Sequence, residues 1–290
     1  MEPLLSRYVL ASPDSIPEGV AFDPVSRLFY ASSLQGASIT TVAADGTETL
    51  FREADNSARL GGIKVDAENR RVWVCATGID SSNNHVWLFD VETGERLVDY
   101  PLGALSTAGA CNDLVLDSNG LAYVTDPANP YIYKLDPVSG EGEVFATDPR
   151  FADLTGIGLG LNGIAVSDDG NDLIVARFTP AQLLRVSLAD SSDIAIIELS
   201  GDALPTPDGL AVLNGDVYAV ADNAIARIRL AAGNSSGEVV VAPQISGLST
   251  ATVAEGALYA IKSEVTNYVL QRPLNLPFEI FSVDIAAFGP

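Results

Sequence analysis

Four oxygen-bearing residues hold the same place in a phrase that recurs along the chain: Glu18 in Glu18-Gly-Val-Ala-Phe-Asp, Asn112 in Asn112-Asp-Leu-Val-Leu-Asp, Asn162 in Asn162-Gly-Ile-Ala-Val-Ser and Asp208 in Asp208-Gly-Leu-Ala-Val-Leu. Two carboxylates and two amides are the donors a hard divalent cation prefers, Ca²⁺ above all, and the two carboxylates neutralise its charge. Four ligands fall short of the about six to eight oxygens usual for Ca²⁺. Open positions would then take water and substrate, and the cation would act as a Lewis acid on a carbonyl or phosphoryl oxygen. Taken singly, Asn-Gly, Asp-Gly and Glu-Gly are turn dipeptides. Their shared register sets these four apart, because the turn after each phrase has its own residues, among them Asp66, Asn119-Gly120, Asp169-Gly170 and Asn214-Gly215.

The other chemistry-bearing residues are few. His85 is the only histidine, so any histidine-dependent nucleophile would have to pass through it, and its place at the head of a strand reads as structural. Cys111 adjoins Asn112 with no histidine set to activate it, which leaves a buried structural thiol. Two cysteines, Cys75 and Cys111, do not make a disulfide framework.

Runs of Val, Ile, Leu and Tyr broken by Gly, Asn, Asp or Pro, with no sustained 3.6-residue period, position these groups on strands. The phrase starts at 18, 61, 112, 162, 208 and 249, at Glu18, Gly61, Asn112, Asn162, Asp208 and Ser249. Each start opens a unit with room for four short strands. Six such units predict a six-bladed β-propeller over 1–290, a single all-β domain with four-stranded blades. The fourth strands are the least regular; Ala195 to Leu199 is the candidate in the fourth blade. The last blade runs out of chain after its third strand, while Arg7 to Ala11 is spare, so the N-terminal strand is expected to complete it and close the ring. All six starts then fall on one face, with the loops Ser32 to Gln35, Thr77 to His85, Thr125 to Asn129, Arg177 to Pro180, Asp222-Asn223 and Lys262 to Phe278. The last is long enough to be a lid.

With 38 Asp and Glu against 16 Lys and Arg, the net charge is -22, which repels nucleic acid and anionic membranes and attracts cations. Met1 to Leu10 lacks the basic and apolar regions of a secretion signal, and no run nears the roughly 18 apolar residues that span a bilayer. The expectation is a cytoplasmic protein, monomeric, acting on a small molecule.

Glu18-Gly19, Asn112-Asp113, the run Tyr123-Val-Thr-Asp126-Pro127, Asn162-Gly163 with Ser167-Asp-Asp-Gly170, and Pro207-Asp-Gly209 together resemble the senescence-marker-protein, gluconolactonase and regucalcin family over essentially the whole chain. The resemblance implies a six-bladed propeller with one divalent cation, commonly calcium, on Glu18, Asn112, Asn162 and Asp208. It implies a lactone-opening hydrolase with Asp208, or water on the metal, as base or nucleophile, and Asp126 as a pocket aspartate. Phosphotriester hydrolysis at the same metal, a non-catalytic propeller binding calcium or a small ligand, and ring-forming biosynthetic chemistry are the alternatives. One departure bears on substrate: where regucalcin-like members hold the sugar with an arginine, this chain has Ala110.

Overall fold

Alternation of apolar side chains builds each blade and joins it to the next. Along the strand Arg71–Gly78, Val72, Val74 and Ala76 pack with Tyr30 and Ile39 of the blade before, while Trp73 and Cys75 turn toward Leu114 and Tyr133 of the blade after. A strand's period of two thus serves two seams at once. The computed structural model describes residues 2–12, 15–52, 58–79, 83–156 and 158–289.

Blade one runs outward through Pro17–Asp23, Leu28–Ser33, Ile39–Val42 and Glu48–Arg52, every pair antiparallel. Blade two is Ala58–Asp66, Arg71–Gly78, Asn84–Asp90 and Arg96–Pro101, and blade three is Leu114–Leu116, Ala122–Thr125, Tyr131–Leu135 and Gly142–Thr147. Blade four comprises Leu161–Val166, Asp172–Arg177, Gln182–Ser187 and Ile194–Ile196. Blade five holds Leu210–Leu213, Asp216–Ala221, Ala224–Leu230 and Ser236–Pro243. The stretch expected as one outer strand, Ala195 to Leu199, divides: Ile194–Ile196 stays in blade four, and Glu198–Gly201 adds to blade five as a fifth strand, parallel to Ser236–Pro243. That addition covers an edge that would otherwise stand unpaired.

Blade six closes the ring as expected. Leu248–Ala254, Ala257–Lys262 and Phe278–Ser282 are completed by Arg7–Leu10, with Arg7 opposite Phe281 and Leu10 opposite Phe278. Tyr8 on this last strand reaches Phe29 of blade one at 5.3 Å, and Phe29 meets Tyr259 of blade six at 5.1 Å. Between every two neighbouring blades lies one buried apolar cluster, so the core is a ring of six seams.

The cysteines correct the expectation of a free thiol. Cys75 faces the seam between blades two and three, where Cys111 lies, and the two form a disulfide with Cα atoms 5.5 Å apart. Because strands alternate in direction, the tight turns joining first to second and third to fourth strands gather on one face. The six starts gather on the other.

Candidate metal centre

At each of the six starts the innermost strand leaves its ladder. The register shifts between Pro17 and Val20, Leu60 and Ile63, Leu161 and Ile164, and Leu248 and Ala251; in blades three and five the strand begins only after the start, at Leu114 and Leu210. Backbone groups released there bond across the seams. Ser32 Oγ donates to the Gly61 carbonyl at 2.6 Å, Gly62 N to Asn112 at 3.0 Å, Thr125 Oγ1 to Asn162 at 2.6 Å, Gly163 N to Asp208 at 2.8 Å, Gly209 N to Ser249 at 2.9 Å, and Ser249 Oγ to Glu18 at 2.6 Å. The carbonyls of all six starts are therefore held by a closed ring of bonds, each from the preceding blade. Glycine after the start has a steric reason here: a Cβ on Gly19 would lie 2.8 Å from the Gly61 carbonyl oxygen, and on Gly163 or Gly209 closer still to a neighbouring blade.

With the main chain engaged between blades, the side chains turn to the axis. Glu18, Asn112, Asn162 and Asp208 line one cavity of about 10 Å³, room for a single ion or water, together with Lys64, Asp113 and Thr250. Glu18 Oε2, Asn112 Oδ1 and Asn162 Oδ1 are hidden from solvent and have no hydrogen-bond partner. A buried oxygen left without a donor is costly; with Asp113 Oδ2 and Thr250 Oγ1, also unpartnered, the one cavity holds five, which fits a cation. Among the described residues no three of His, Cys, Asp and Glu form a metal-holding group, so the two amides are needed to complete the set. An all-oxygen set of two carboxylates and two amides suits Ca²⁺ in type and in charge.

Electrostatics point the same way. Burial, and then the Asp113 charge, push the Asp208 carboxyl up to about 7, against a lowering bond from Asn162. Burial pushes Glu18 well above the carboxylate range; Asp208 and Asp113 add to this and Lys64 opposes it. Both groups lack a compensating positive charge of the size a dication would bring.

Asp126 is placed differently. Its buried carboxylate is not among the residues lining the cavity, and it is fully engaged in its own loop, accepting from Tyr133 Oη at 2.6 Å, from Ala128 N and Asn129 N, and from Ala110 N at 2.9 Å. Through Ala110 it fixes the segment that carries Asn112. The disulfide at Cys111 and the bond from Asn112 N to the Thr125 carbonyl hold the same segment from two other sides.

His85 stays at its strand end, between Asp99 and Asn83. Residues 80–82 of the loop before it lie outside the described residues. The segment Lys262 to Phe278 carries one short helix, Val265–Val269. It is tied down by Lys262 Nζ on the Asn275 and Pro277 carbonyls and by Glu264, which accepts from Asn267 and Asn275. Tyr268 and Leu274 pack on the seam of blades six and one, and none of these residues lines the cavity. Lys64, Asp113 and Thr250 were missed as site residues. Each breaks the repeat at its own position, which is the signal that could have found them.

No family model matches the chain. It is 30% identical over 191 residues to lactonase drp35 of Staphylococcus aureus; the match takes in 65% of this chain and 55% of the lactonase, so the chain spans about half the length of that relative. In fold it is similar to the major Malassezia sympodialis allergen Mala s 1, with TM-score 0.77 at 15% identity, covering 97% of this chain and 96% of the allergen. It is also similar to a gluconolactonase of Xanthomonas campestris, with TM-score 0.67 at 18% identity, covering 93% of this chain and 88% of the other. No helix among the described residues is long and apolar enough to cross a membrane. The likeness read from the motifs, to the senescence-marker-protein, gluconolactonase and regucalcin family, is thus met in sequence by a lactonase and in fold by a gluconolactonase.

Proposed function

We propose that this chain opens lactones, with a divalent cation, calcium in the first instance, held by Glu18, Asn112, Asn162 and Asp208. The observation that carries the reading is the set of five buried, unpartnered oxygens in one cavity, with two carboxyls raised by burial that Lys64 does not fully balance. The name of the drp35 lactonase supports the reaction class. When bound, the cation would polarise the ester carbonyl and offset the negative charge that grows on its oxygen. Glu18 and the two amides orient it; Asp208, at the same cavity, is the chain's own base for drawing a proton from the attacking water. The ring of inter-blade bonds keeps these side chains fixed, so little reorganisation is needed during the reaction. Asp126 acts at one remove, by positioning the Ala110 to Asn112 segment.

The substrate we propose is an apolar lactone. Ala110 offers no side-chain donor for sugar hydroxyls, and its backbone N–H is already given to Asp126. Hydrolysis measured by proton release over aliphatic lactones and aldonolactones, with Ca²⁺ or chelator, tests both points. Aliphatic lactones should turn over faster, and Asp208→Ala and Asn162→Ala should be inactive. If metal analysis and calcium titration show no binding, the cation reading fails. If calcium binds but no lactone turns over, hydrolysis of phosphotriesters at the same centre or plain ligand binding replaces it.

A further inference from the structure

The innermost strands depart from their own repeat at two places in neighbouring blades, and the two departures meet. Three residues after the start the ring carries Ala21, Val115, Ala165, Ala211 and Thr252, but in blade two Lys64. One residue after the start it carries glycine in four blades and Thr250 in blade six, but in blade three Asp113. Lys64 Nζ lies 3.2 Å from Asp113 Oδ1, which also accepts from Leu114 N at 2.8 Å, while Asp113 Oδ2 is buried without a partner. The lysine also lines a second, mostly apolar space of about 210 Å³ on the far side of the channel, beside Val115, Ala165 and Ala211. Its stem therefore occupies the apolar half and its ammonium comes up beneath the cation cavity.

The cavity then holds three carboxyls, Glu18, Asp113 and Asp208, and one ammonium. We propose that Lys64 is a built-in counter-ion that fixes the charge of the cation site at that of a dication's complement, so that the site selects divalent over trivalent cations. This rests on the cation reading above. A lysine at a position that is otherwise Ala, Val or Thr is costly to hold in the channel without such a role. Removing its charge leaves one more uncompensated carboxylate, and a cation of charge three gains more from that than one of charge two.

The test is a charge cycle on the full chain stripped with chelator, read by calorimetric titration with Ca²⁺ and by Tb³⁺ luminescence. Lys64→Met should raise the affinity ratio of Tb³⁺ to Ca²⁺ about tenfold or more. Lys64→Met combined with Asp113→Asn, which restores the original charge without the ion pair, should return the ratio to within about threefold of the unaltered protein. If Lys64→Met folds normally by circular dichroism and leaves the ratio unchanged, the lysine only fills space and the proposal is overturned. Should the single variant not fold, the double variant decides: a ratio that stays far from the original overturns it too. If the unaltered protein binds neither ion, the cation reading itself has failed, and this inference with it.

Discussion

On the turn face, Asp23 receives Val25 N at 3.0 Å, Ser26 Oγ at 2.5 Å and Arg70 at 2.8 Å, and Asp90 and Asp136 receive backbone N–H groups of their own turns in the same way. Across the ring, Glu18 and Asp208 stand at the channel with few donors or none. The pKa values separate accordingly. Burial raises Asp23, but the bonds from Ser26, Arg70 and Val25 outweigh it and hold it below the usual range; bonds from Ser167 and Asn171 bring Asp169 down to about 2. Glu18 and Asp208 are raised by burial that Lys64 and the bond from Asn162 only partly offset. One chemical group thus serves as staple on one face and, on the function proposed above, as cation ligand on the other, and the number of donors aimed at it decides which. The net charge of -22 belongs mostly to the staples and their exposed neighbours.

Exchanging a carboxylate on each face should break the symmetry of effect most sharply. Asp208→Ala is expected to lower lactone hydrolysis at least about a hundredfold, as loss of a group that both holds the cation and takes the proton would. It should also abolish the rise in melting temperature on adding Ca²⁺, while leaving the metal-free protein as stable as before or more so. Asp169→Ala should leave activity unchanged. An active Asp208→Ala would mean that the channel carboxylates are no more functional than the turn ones.

The two faces should respond to pH with opposite sign. A carboxyl raised from 3.8 to about 7 binds its proton more tightly in the folded state, so its share of stability is present at low pH and is lost as pH rises from about 4 to about 7. For Asp208 the loss is about 3 kcal/mol after allowing for its partial exposure. A lowered carboxylate such as Asp23 does the reverse: its contribution is present above about pH 4 and is lost as pH falls through its depressed value. Metal-free protein should therefore melt highest near pH 4 to 5, and saturating Ca²⁺ should lift the neutral side more than the acid side. Melting curves from pH 3 to 8 with and without Ca²⁺ read this directly. A calcium effect of equal size at pH 5 and pH 8 contradicts the assignment.

The six starts were legible because register is a property of the sequence: a phrase repeated every 41 to 51 residues places its first residue at the same height in each blade. The disulfide was not, since alternation tells that Trp73 and Cys75 face one seam and Val72 and Val74 the other, but not which seam receives Cys111. The division at Ile197 was hidden for a similar reason. An outer strand meets few constraints from the core, and whether Glu198 pairs backward or forward depends on Ser236–Pro243, well downstream. Asp126 shows the limit of a motif: its place beside the site was legible, but not that five backbone and side-chain donors had already taken its oxygens.

The disulfide offers a smaller test of how firmly the channel side is held. It spans 36 residues and fixes the residue before Asn112, so Cys75→Ala with Cys111→Ser should cost roughly 3 kcal/mol in a urea titration. Calcium affinity should fall with it, because Asn112 then depends on Asp126 and Thr125 alone. An unchanged calcium affinity would show that those bonds suffice. A cross-link of this kind persists where the surroundings are oxidising, so the native protein should show no free thiol before reduction. Native protein that titrates two thiols before reduction argues the other way.

The staples give the smallest and most local effect. Asp23→Ala removes the acceptor of Val25 N, of the Ser26 hydroxyl and of the Arg70 guanidinium, leaving that cation beside a buried turn with nothing to neutralise it. A loss of about 2 kcal/mol is expected, because the unmatched partners cost more than the bonds themselves contributed. Asp23→Asn keeps the shape of the acceptor and should recover about half of it, the remainder being the charge on Arg70. Neither change reaches the cavity, so calcium affinity and turnover should stay as they were. A fall in either would show that the two faces are coupled through the innermost strand Pro17–Asp23, which carries Glu18 at one end and Asp23 at the other.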